Sequence, residues 1–173
     1  NVKVQDFSLS IKGKTILKNI SFEIKTNEIV AMVGESGSGK SLTALSLLGL
    51  LPTEKISIES GSIQFNNKEL LNLDESQWRT IRGNQISMVF QEPQSSLNPT
   101  MCCGHQVEEI IKEHNKNKYS ADERKSKVIN AFDRVKLPNP ERIYSAYPHE
   151  ISGGQKQRVM IAMALMNEPS LLI

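Results

Sequence analysis

The sequence is poor in cysteine, and the placement of the two that it has limits the kind of protein it encodes. Cys102 and Cys103 are adjacent. Neighbouring cysteines rarely pair with each other, so a scaffold built on disulfides is disfavoured and a reducing compartment is favoured. The histidines and cysteines also lack the spacing of metal ligands, which argues against a metal site made from them.

Net charge and long apolar runs are equally scarce. The 21 Lys and Arg residues nearly balance the 19 Asp and Glu residues, for a net charge of +2, which leaves no bulk electrostatic case for nucleic-acid binding. No apolar run approaches the roughly 20 residues that a membrane-spanning helix needs, and no signal peptide opens the chain. We therefore expect one globular domain of 173 residues, with any membrane role supplied by a partner.

Hydropathy patterns in the first part of the chain predict strands followed by a helix. Apolar and polar residues alternate in Val2–Ile11 and again in Ile16–Ile24, as in half-buried strands. The continuous apolar run Ile29–Val33 is typical of a parallel strand covered on both faces. A helix is predicted from Lys40 to about Leu50, where Pro52 ends it.

The rest of the chain alternates between predicted strands and predicted helices. Ser120–Glu123 fits a capping box that opens one of these helices, and three prolines predict a loop before the last helix. In chain order we expect strands at Gly61–Phe65 and Gln85–Phe90, a helical region at Thr100–Leu137, a loop through Pro138, Pro140 and Pro148, a helix at Gly153–Met166, and a buried strand beginning at Leu171–Ile173.

A glycine-rich segment between the apolar run and the first predicted helix matches a phosphate-binding loop. It reads Gly34-Glu35-Ser36-Gly37-Ser38-Gly39-Lys40-Ser41. Its backbone N–H groups and the helix start would cradle a polyphosphate, Lys40 would reach the β- and γ-phosphates, and the Ser41 hydroxyl would bind Mg²⁺. The strand predicted before it and the helix predicted after it argue against the alternative, a plain Gly/Ser linker.

A second glycine-containing segment, Ser152-Gly153-Gly154-Gln155, precedes the last predicted helix. Ser152 fits a helix N-cap, and the two glycines would leave the backbone amides open to an anion. Four residues are a weak pattern alone, and a capped helix with a flexible lead is the alternative. The presence of both segments in one chain, in this order, is harder to explain by a purely structural role for each.

Gln91 comes directly after the strand predicted at Gln85–Phe90. Its neutral amide oxygen could complete a Mg²⁺ shell or hold an attacking water. A solvated loop glutamine is the alternative interpretation. Lys40 and Gln91 are the catalytic candidates, and Ser41 and Gln91 are the candidate metal ligands.

With these motifs in this order, the sequence resembles the ATP-binding subunit of an ABC transporter of the peptide and nickel uptake branch. The resemblance rests on the phosphate loop and on two longer segments, Phe90-Gln91-Glu92-Pro93 with Ser96-Leu97-Asn98-Pro99, and Ala146–Gln155 with Gln157–Leu165. Ile151 replaces the more usual leucine before the signature. Ile11 aligns where the family usually has an aromatic residue stacked on adenine.

The resemblance implies an α/β fold: a P-loop NTPase (RecA-like) core, an N-terminal antiparallel β-subdomain and an α-helical ABC subdomain. It implies one nucleotide-binding domain, with the core and β-subdomain at 1–95, the helical subdomain at 96–150, and the signature helix and start of the Walker B strand at 151–173. The family's metal-ordering aspartate, catalytic glutamate and switch histidine would follow Ile173. The 173-residue chain is therefore expected to bind nucleotide without turnover.

The resemblance also implies a subunit that energises import of peptides or nickel by binding and hydrolysing ATP with Mg²⁺. Its partners would be membrane-spanning permease subunits, a second ATP-binding subunit and, indirectly, a substrate receptor, with no nucleic acid. It would lie at the cytoplasmic face of the cell membrane, with Ser152–Gln155 of one subunit contacting the nucleotide held by the other. A soluble ABC-type ATPase acting on DNA or ribosomes is the alternative. It is disfavoured by the near-neutral charge, by the absence of a long coiled-coil insertion between Gln91 and Ser152, and by the Ser96-Leu97-Asn98-Pro99 segment.

Overall fold

A computed structural model describes residues 1–52, 56–92, 96–115 and 118–173. These residues form two compact units, Asn1–Arg79 and Thr80–Ile173. Pro93 of the resemblance segment and positions 116–117 of the predicted helical region lie outside the described residues. None of the described helices is long and apolar enough to cross a membrane.

The first unit is built on an antiparallel sheet, as the sequence predicted. Its strands are β1 (Val2–Ile11), β2 (Lys14–Ile24), β3 (Ile56–Phe65) and β4 (Lys68–Glu69), in the order β2-β1-β3-β4. Two tight turns with left-handed backbone angles connect neighbouring strands. Lys12 and Gly13 have φ 51° and 76°, and Asn66 and Asn67 have φ 48° and 64°, angles that glycine and asparagine adopt most readily.

A bulge in β1 changes the simple alternation that the sequence predicted. Val4 pairs with Phe22 on one side and Ile63 on the other, and the register then shifts before Phe7. Asp6, at φ 46°, lies in the shifted stretch, and an extra residue of this kind turns the strand. As a result four successive side chains, Phe7 to Ser10, are buried.

The prediction of a buried strand at Ile29–Val33 is wrong for this structure. Among the described residues the segment pairs with no strand, and the side chains of Ile29 and Val33 are 99% and 91% exposed. A strand exists only where a neighbour supplies hydrogen-bond partners along its length. Local apolarity predicted the tendency to form a strand but could not supply that neighbour.

Helix α1 (Lys40–Ser46) begins where predicted and ends several residues early. The amide of Leu50 donates to the carbonyl of Leu45, and the amide of Gly49, at φ 59°, donates to Ser46. These two bonds form a Schellman motif, which closes a helix around a left-handed glycine. Gly49 therefore stops α1 before Pro52 can. The next helix is α2 (Glu75–Ile81).

The second unit contains the predicted helical region and a short parallel strand pair. Its remaining elements are β5 (Ile86–Ser87), α3 (Cys103–His114), α4 (Ala121–Arg134), α5 (Pro140–Ser145), a 3₁₀ turn (Pro148–Glu150), α6 (Gly153–Leu165) and β6 (Leu171–Leu172). The predicted capping box opens α4: the Glu123 amide donates to the Ser120 hydroxyl, and the Ser120 amide donates to the Glu123 carboxylate. Val128 and Phe132, which lie about one turn apart on α4, are fully buried.

Strands β5 and β6 pair in parallel, which confirms a strand in each predicted segment. The hydrogen bonds extend beyond the short strands, from the Leu171 amide to the Gln85 carbonyl and from the Val89 amide to the Ile173 carbonyl. Leu172 is 46% exposed, so the second strand is less buried than predicted. Its outer edge has no strand partner among the described residues.

The loop predicted across the three prolines is partly wrong. Pro140 is the first residue of α5, and Pro148 begins the 3₁₀ turn. Proline suits the first helical position, because its fixed φ is helical and its missing N–H would have had no intrahelical partner there. The prolines therefore start short helices in this segment.

A buried acidic residue connects α3 to α5. Glu108 is 6% exposed, and its carboxylate accepts a 2.5 Å hydrogen bond from the Tyr144 hydroxyl and lies 3.3 Å from the Lys112 ammonium. Burial and the adjacent Glu108 carboxylate raise the pKa of Tyr144 above its ordinary value. Tyr144 therefore stays a neutral donor to a buried charge.

Replacing Tyr144 with phenylalanine is expected to lower the free energy of unfolding by about 2 kcal/mol at pH 7, because a buried carboxylate loses a donor. The difference from wild type should shrink as the pH rises above about 10. Unfolded wild-type protein then releases the Tyr144 proton while the folded protein retains it. The wild type therefore loses the extra stability that the Tyr144 hydroxyl gives it at pH 7, and the phenylalanine variant has no such stability to lose. Urea unfolding at pH 7 and above pH 10 tests this. Equal stability at pH 7 would contradict it.

Candidate nucleotide-binding site

Glycine backbone angles shape the loop between Ile29–Val33 and α1. Gly37 and Gly39 have φ 81° and 92°, values that residues with a Cβ rarely adopt. A Cβ at Gly39 would also collide with the Leu17 side chain, and one at Gly34 would lie 2.8 Å from the Ser38 hydroxyl. The loop's own backbone conformation therefore favours glycine at Gly37 and Gly39.

The Lys40 side chain folds back into this loop. Its ammonium donates to the carbonyls of Gly34 and Glu35, at 2.8 and 2.7 Å, and lies 3.3 Å from the Ser38 hydroxyl. Gly34 to Ser38 are exposed, whereas Lys40 is half-buried. The loop thus holds one positive charge at its centre while its backbone remains open to solvent, an arrangement suited to a polyphosphate.

Ser41 follows Lys40 in the first turn of α1, and its side chain is exposed. Among the residues that the structure describes, no three His, Cys, Asp or Glu side chains group closely enough to hold a metal ion. Mg²⁺ at nucleotide sites takes only one or two protein oxygens and obtains the others from phosphates and water. A Ser41 hydroxyl beside the phosphate loop fits that limited requirement.

Gln91 lies just beyond the hydrogen-bonded part of the β5 strand, two residues after Val89 makes the last bond to Ile173. Its side chain is exposed, and its neighbour Phe90 is 46% exposed. The amide of Gln91 is therefore accessible at the end of a strand, as the sequence predicted. Its role in catalysis or metal binding stays a prediction.

The Ser152–Gln155 segment forms the capped start of α6. The Gln155 amide donates to the Ser152 hydroxyl at 3.3 Å, and the Ser152 amide donates to the Gln155 side-chain oxygen at 2.9 Å. This reciprocal box confirms Ser152 as the N-cap. Both side chains keep a donor for another group, because the serine hydroxyl hydrogen and the glutamine NH₂ are not used by the box.

Gly153 and Gly154 differ from the phosphate-loop glycines. Both are exposed, and a Cβ built on either would meet nothing within 4 Å, with neither backbone in the left-handed region. Nothing in the described part of the chain therefore requires glycine at these positions. A ligand that approaches this backbone from outside the chain would explain why both positions are glycine.

The predicted site residues occur in both compact units. Gly34 to Ser41 belong to the first unit, and Gln91 and Ser152–Gln155 belong to the second. Ile11, which aligns where the family usually has an aromatic residue stacked on adenine, is half-buried at the end of β1. Arg158, to which no sequence motif assigns a role, donates hydrogen bonds to two carbonyls just after α4, and no local pattern in the sequence signals these bonds.

Comparison with known proteins relates these segments to one family. The sequence profile of the family described as ABC transporter matches residues 17–173. The chain is 48% identical to the peptidoglycan transport ATP-binding protein YejF of Agrobacterium fabrum, over 99% of this chain and 32% of that protein. It is 39% identical to the oligopeptide transport ATP-binding protein OppD of Bacillus subtilis, over 99% of this chain and 49% of that protein.

The fold of the chain is also similar to that of solved ATP-binding cassettes. A dimeric post-hydrolysis state of the ATP-binding cassette MJ0796, bound to ADP and Pi, superposes with a TM-score of 0.86 at 29% identity, over 99% of this chain and 72% of that chain. The chain spans only 30% to 52% of the length of the curated relatives compared. The profile match across most of the sequence, the phosphate loop and the capped signature segment show that this chain belongs to the ABC transporter family of ATP-binding proteins.

Proposed function

We propose that the full-length protein is the ATP-binding subunit of an importer for peptides and that it binds and hydrolyses ATP to drive transport. The observation that carries this proposal is the phosphate loop, with the Lys40 ammonium held at its centre by the Gly34 and Glu35 carbonyls. The relatives include oligopeptide and dipeptide transport ATP-binding proteins, which supports the substrate class. Nickel, the other substrate class of the branch, remains the second candidate.

In this proposal each predicted residue has a defined role within one nucleotide-binding domain. Gly34 to Lys40 bind the phosphates, Ser41 and Gln91 provide oxygens to Mg²⁺, and Gln91 also orients water. Ser152–Gln155 face the nucleotide held by a second ATP-binding subunit. Mg²⁺ would neutralise charge on the phosphates. The subunit would attach to membrane-spanning permease subunits at the cytoplasmic face of the membrane.

Stimulation of ATP hydrolysis distinguishes this function from the alternative. We expect the full-length protein, reconstituted with its permease subunits, to hydrolyse ATP faster when a substrate receptor loaded with peptide is added. Nickel in place of peptide tests the second substrate class. Stimulation by DNA or ribosomes without permease would instead identify a soluble ABC-type ATPase.

Replacing Gly154 with alanine is expected to separate function from folding. The added methyl group meets none of the residues that the structure describes, and alanine is the better helix former, so the free energy of unfolding should stay equal or rise by up to about 1 kcal/mol. ATP turnover by the full-length transporter should fall at least roughly tenfold, because the methyl group keeps the α6 backbone away from phosphate. Urea unfolding and steady-state hydrolysis measure the two effects.

Gly39→Ala is the contrasting variant, in which folding and function are expected to be lost together. Its φ of 92° and the clash with Leu17 predict that alanine at position 39 lowers stability and nucleotide binding together. If Gly154→Ala retained full turnover, the assignment of this glycine to the approach of a nucleotide would be wrong.

A further inference from the structure

Arg158 connects the helix that begins with the signature segment to the end of another helix. It lies on α6, one turn beyond Gln155, and its Nη1 donates to two backbone carbonyls, those of Val135 at 3.0 Å and Lys136 at 2.7 Å. Both acceptors lie immediately after α4. The guanidinium is charged at all accessible pH values, so these are charge-assisted hydrogen bonds.

The backbone at the end of α4 is itself in a fixed conformation. The Leu137 amide donates to the Phe132 carbonyl at 3.0 Å, and the Lys136 amide donates to the Asp133 carbonyl at 2.8 Å. Lys136 has the left-handed φ of 59°, which completes a Schellman motif. Phe132 and Leu137 are both buried. The carbonyls that Arg158 binds are therefore attached to a well-packed part of the second unit.

The apolar contacts of α6 leave a need for such an anchor. Val159, Met160 and Ala162 are buried in the core of the second unit, but hydrophobic burial has no directional requirement. Hydrogen bonds do have one, and they weaken steeply when the geometry departs from linear. Two bonds to fixed carbonyls, made one turn from Gln155, add a directional constraint on the start of α6.

We propose that Arg158 is a positioning residue for ATP turnover, which holds the Ser152–Gln155 segment in the orientation needed to act on a nucleotide bound by the partner subunit. This inference rests on the proposed function of that segment. Arg158 is itself exposed, and the hydrogen bonds of exposed charged groups contribute little to stability. Its removal should therefore affect turnover far more than folding.

The test compares three variants of the full-length protein in its transporter complex. Arg158→Gln removes the charge and shortens the side chain. Arg158→Lys retains a charged donor, which can replace much of the interaction because a single nitrogen of Arg158 makes both bonds. Arg134→Gln is the matched control: it removes the same charge from the last turn of α4, where Arg134 makes an exposed contact of 3.8 Å with Glu168.

We expect Arg158→Gln to lower kcat roughly tenfold, since small errors in position are costly to catalysis. The KM for ATP and the affinity of the isolated subunit for MgATP should stay within about twofold, because the phosphate loop is unchanged. Amide hydrogen exchange at Gln155 and Lys156, whose amides donate to Ser152, should become faster in the same variant. Arg158→Lys should recover part of the kcat, and Arg134→Gln should match wild type in every measurement.

Several results would overturn the proposal. One is an unchanged kcat or unchanged exchange at the Gln155 and Lys156 amides in Arg158→Gln. Another is a loss of kcat that accompanies an equal loss of melting temperature and that lysine does not recover, which would make the residue merely structural. Failure of the proposed function would be seen separately, as absence of ATP hydrolysis by the wild-type complex.

Discussion

Replacing Lys40 with alanine is expected to weaken MgATP binding at least roughly hundredfold, because a charge-assisted contact to phosphate is lost from the centre of the loop. The Lys40 ammonium lies between the carbonyls of Gly34 and Glu35, which fix its position before a nucleotide arrives. A preorganised charge of this kind needs little rearrangement to bind an anion. Isothermal titration calorimetry with MgATP measures the loss directly.

Two controls separate binding from folding in that experiment. Lys25→Ala removes a lysine from an exposed position in the same unit and should bind MgATP like wild type. The melting temperature of Lys40→Ala should remain near the wild-type value, because water can solvate the exposed loop carbonyls that the lysine leaves. Unchanged affinity in a folded Lys40→Ala protein would remove Lys40 from the site.

Ser152→Arg is expected to differ from Lys40→Ala: the isolated subunit should still bind MgATP, but the assembled transporter should no longer hydrolyse ATP. The substitution places a bulky cation at the start of α6, in the space that a partner's nucleotide would occupy. The phosphate loop of the same subunit is unchanged. The defect should therefore appear only when two ATP-binding subunits close on each other.

Ser152→Arg is also expected to destabilise the start of α6, so the experiment requires a matched control. Arginine removes the N-cap bond to Gln155, a loss of about 1 kcal/mol, and places a positive charge at the positive end of the helix dipole. Ser120→Arg does the same to α4, which begins with an identical kind of capping box, and should leave turnover largely intact. Equal loss of MgATP binding by the isolated Ser152→Arg subunit would contradict action across the dimer.

Sequence reasoning was most successful where a local backbone requirement dictates the residue. Gly39 must be glycine for its backbone angle, and Ser152 with Gln155 forms a cap within four residues of chain. The Ser120 box belongs to the same class. Each depends on neighbours in sequence, so a short pattern contains all the information needed.

It was less successful where the outcome depends on distant residues. The apolar run at Ile29–Val33 predicted a strand, but strand formation depends on a pairing partner that no local pattern identifies. The bulge at Asp6 and the early end of α1 at Gly49 altered the details of elements that were otherwise predicted. Pro140 and Pro148 were interpreted as helix breakers, although proline at the first helical position is a helix starter.

The contacts that connect helices could not be predicted at all. Arg158 and Val135 are separated by 23 positions in the sequence, and Glu108 and Tyr144 by 36. An arginine on an amphipathic helix ordinarily extends into solvent, and a tyrosine near a proline-rich segment predicts no partner. Only the packing of α3, α4, α5 and α6 brings these side chains to their acceptors.

The central claim is that Lys40 of one subunit and Ser152 of another act on the same ATP. Mixing the full-length Lys40→Ala and Ser152→Arg variants tests this most directly, with the two substitutions placed in opposite ATP-binding subunits of the transporter. Each variant alone is expected to be inactive. In the mixed dimer, one nucleotide site would combine an intact phosphate loop with an intact signature segment, so hydrolysis should rise well above the sum of the separate variants. Hydrolysis no greater than that sum, in a mixture shown to form dimers, would contradict the account.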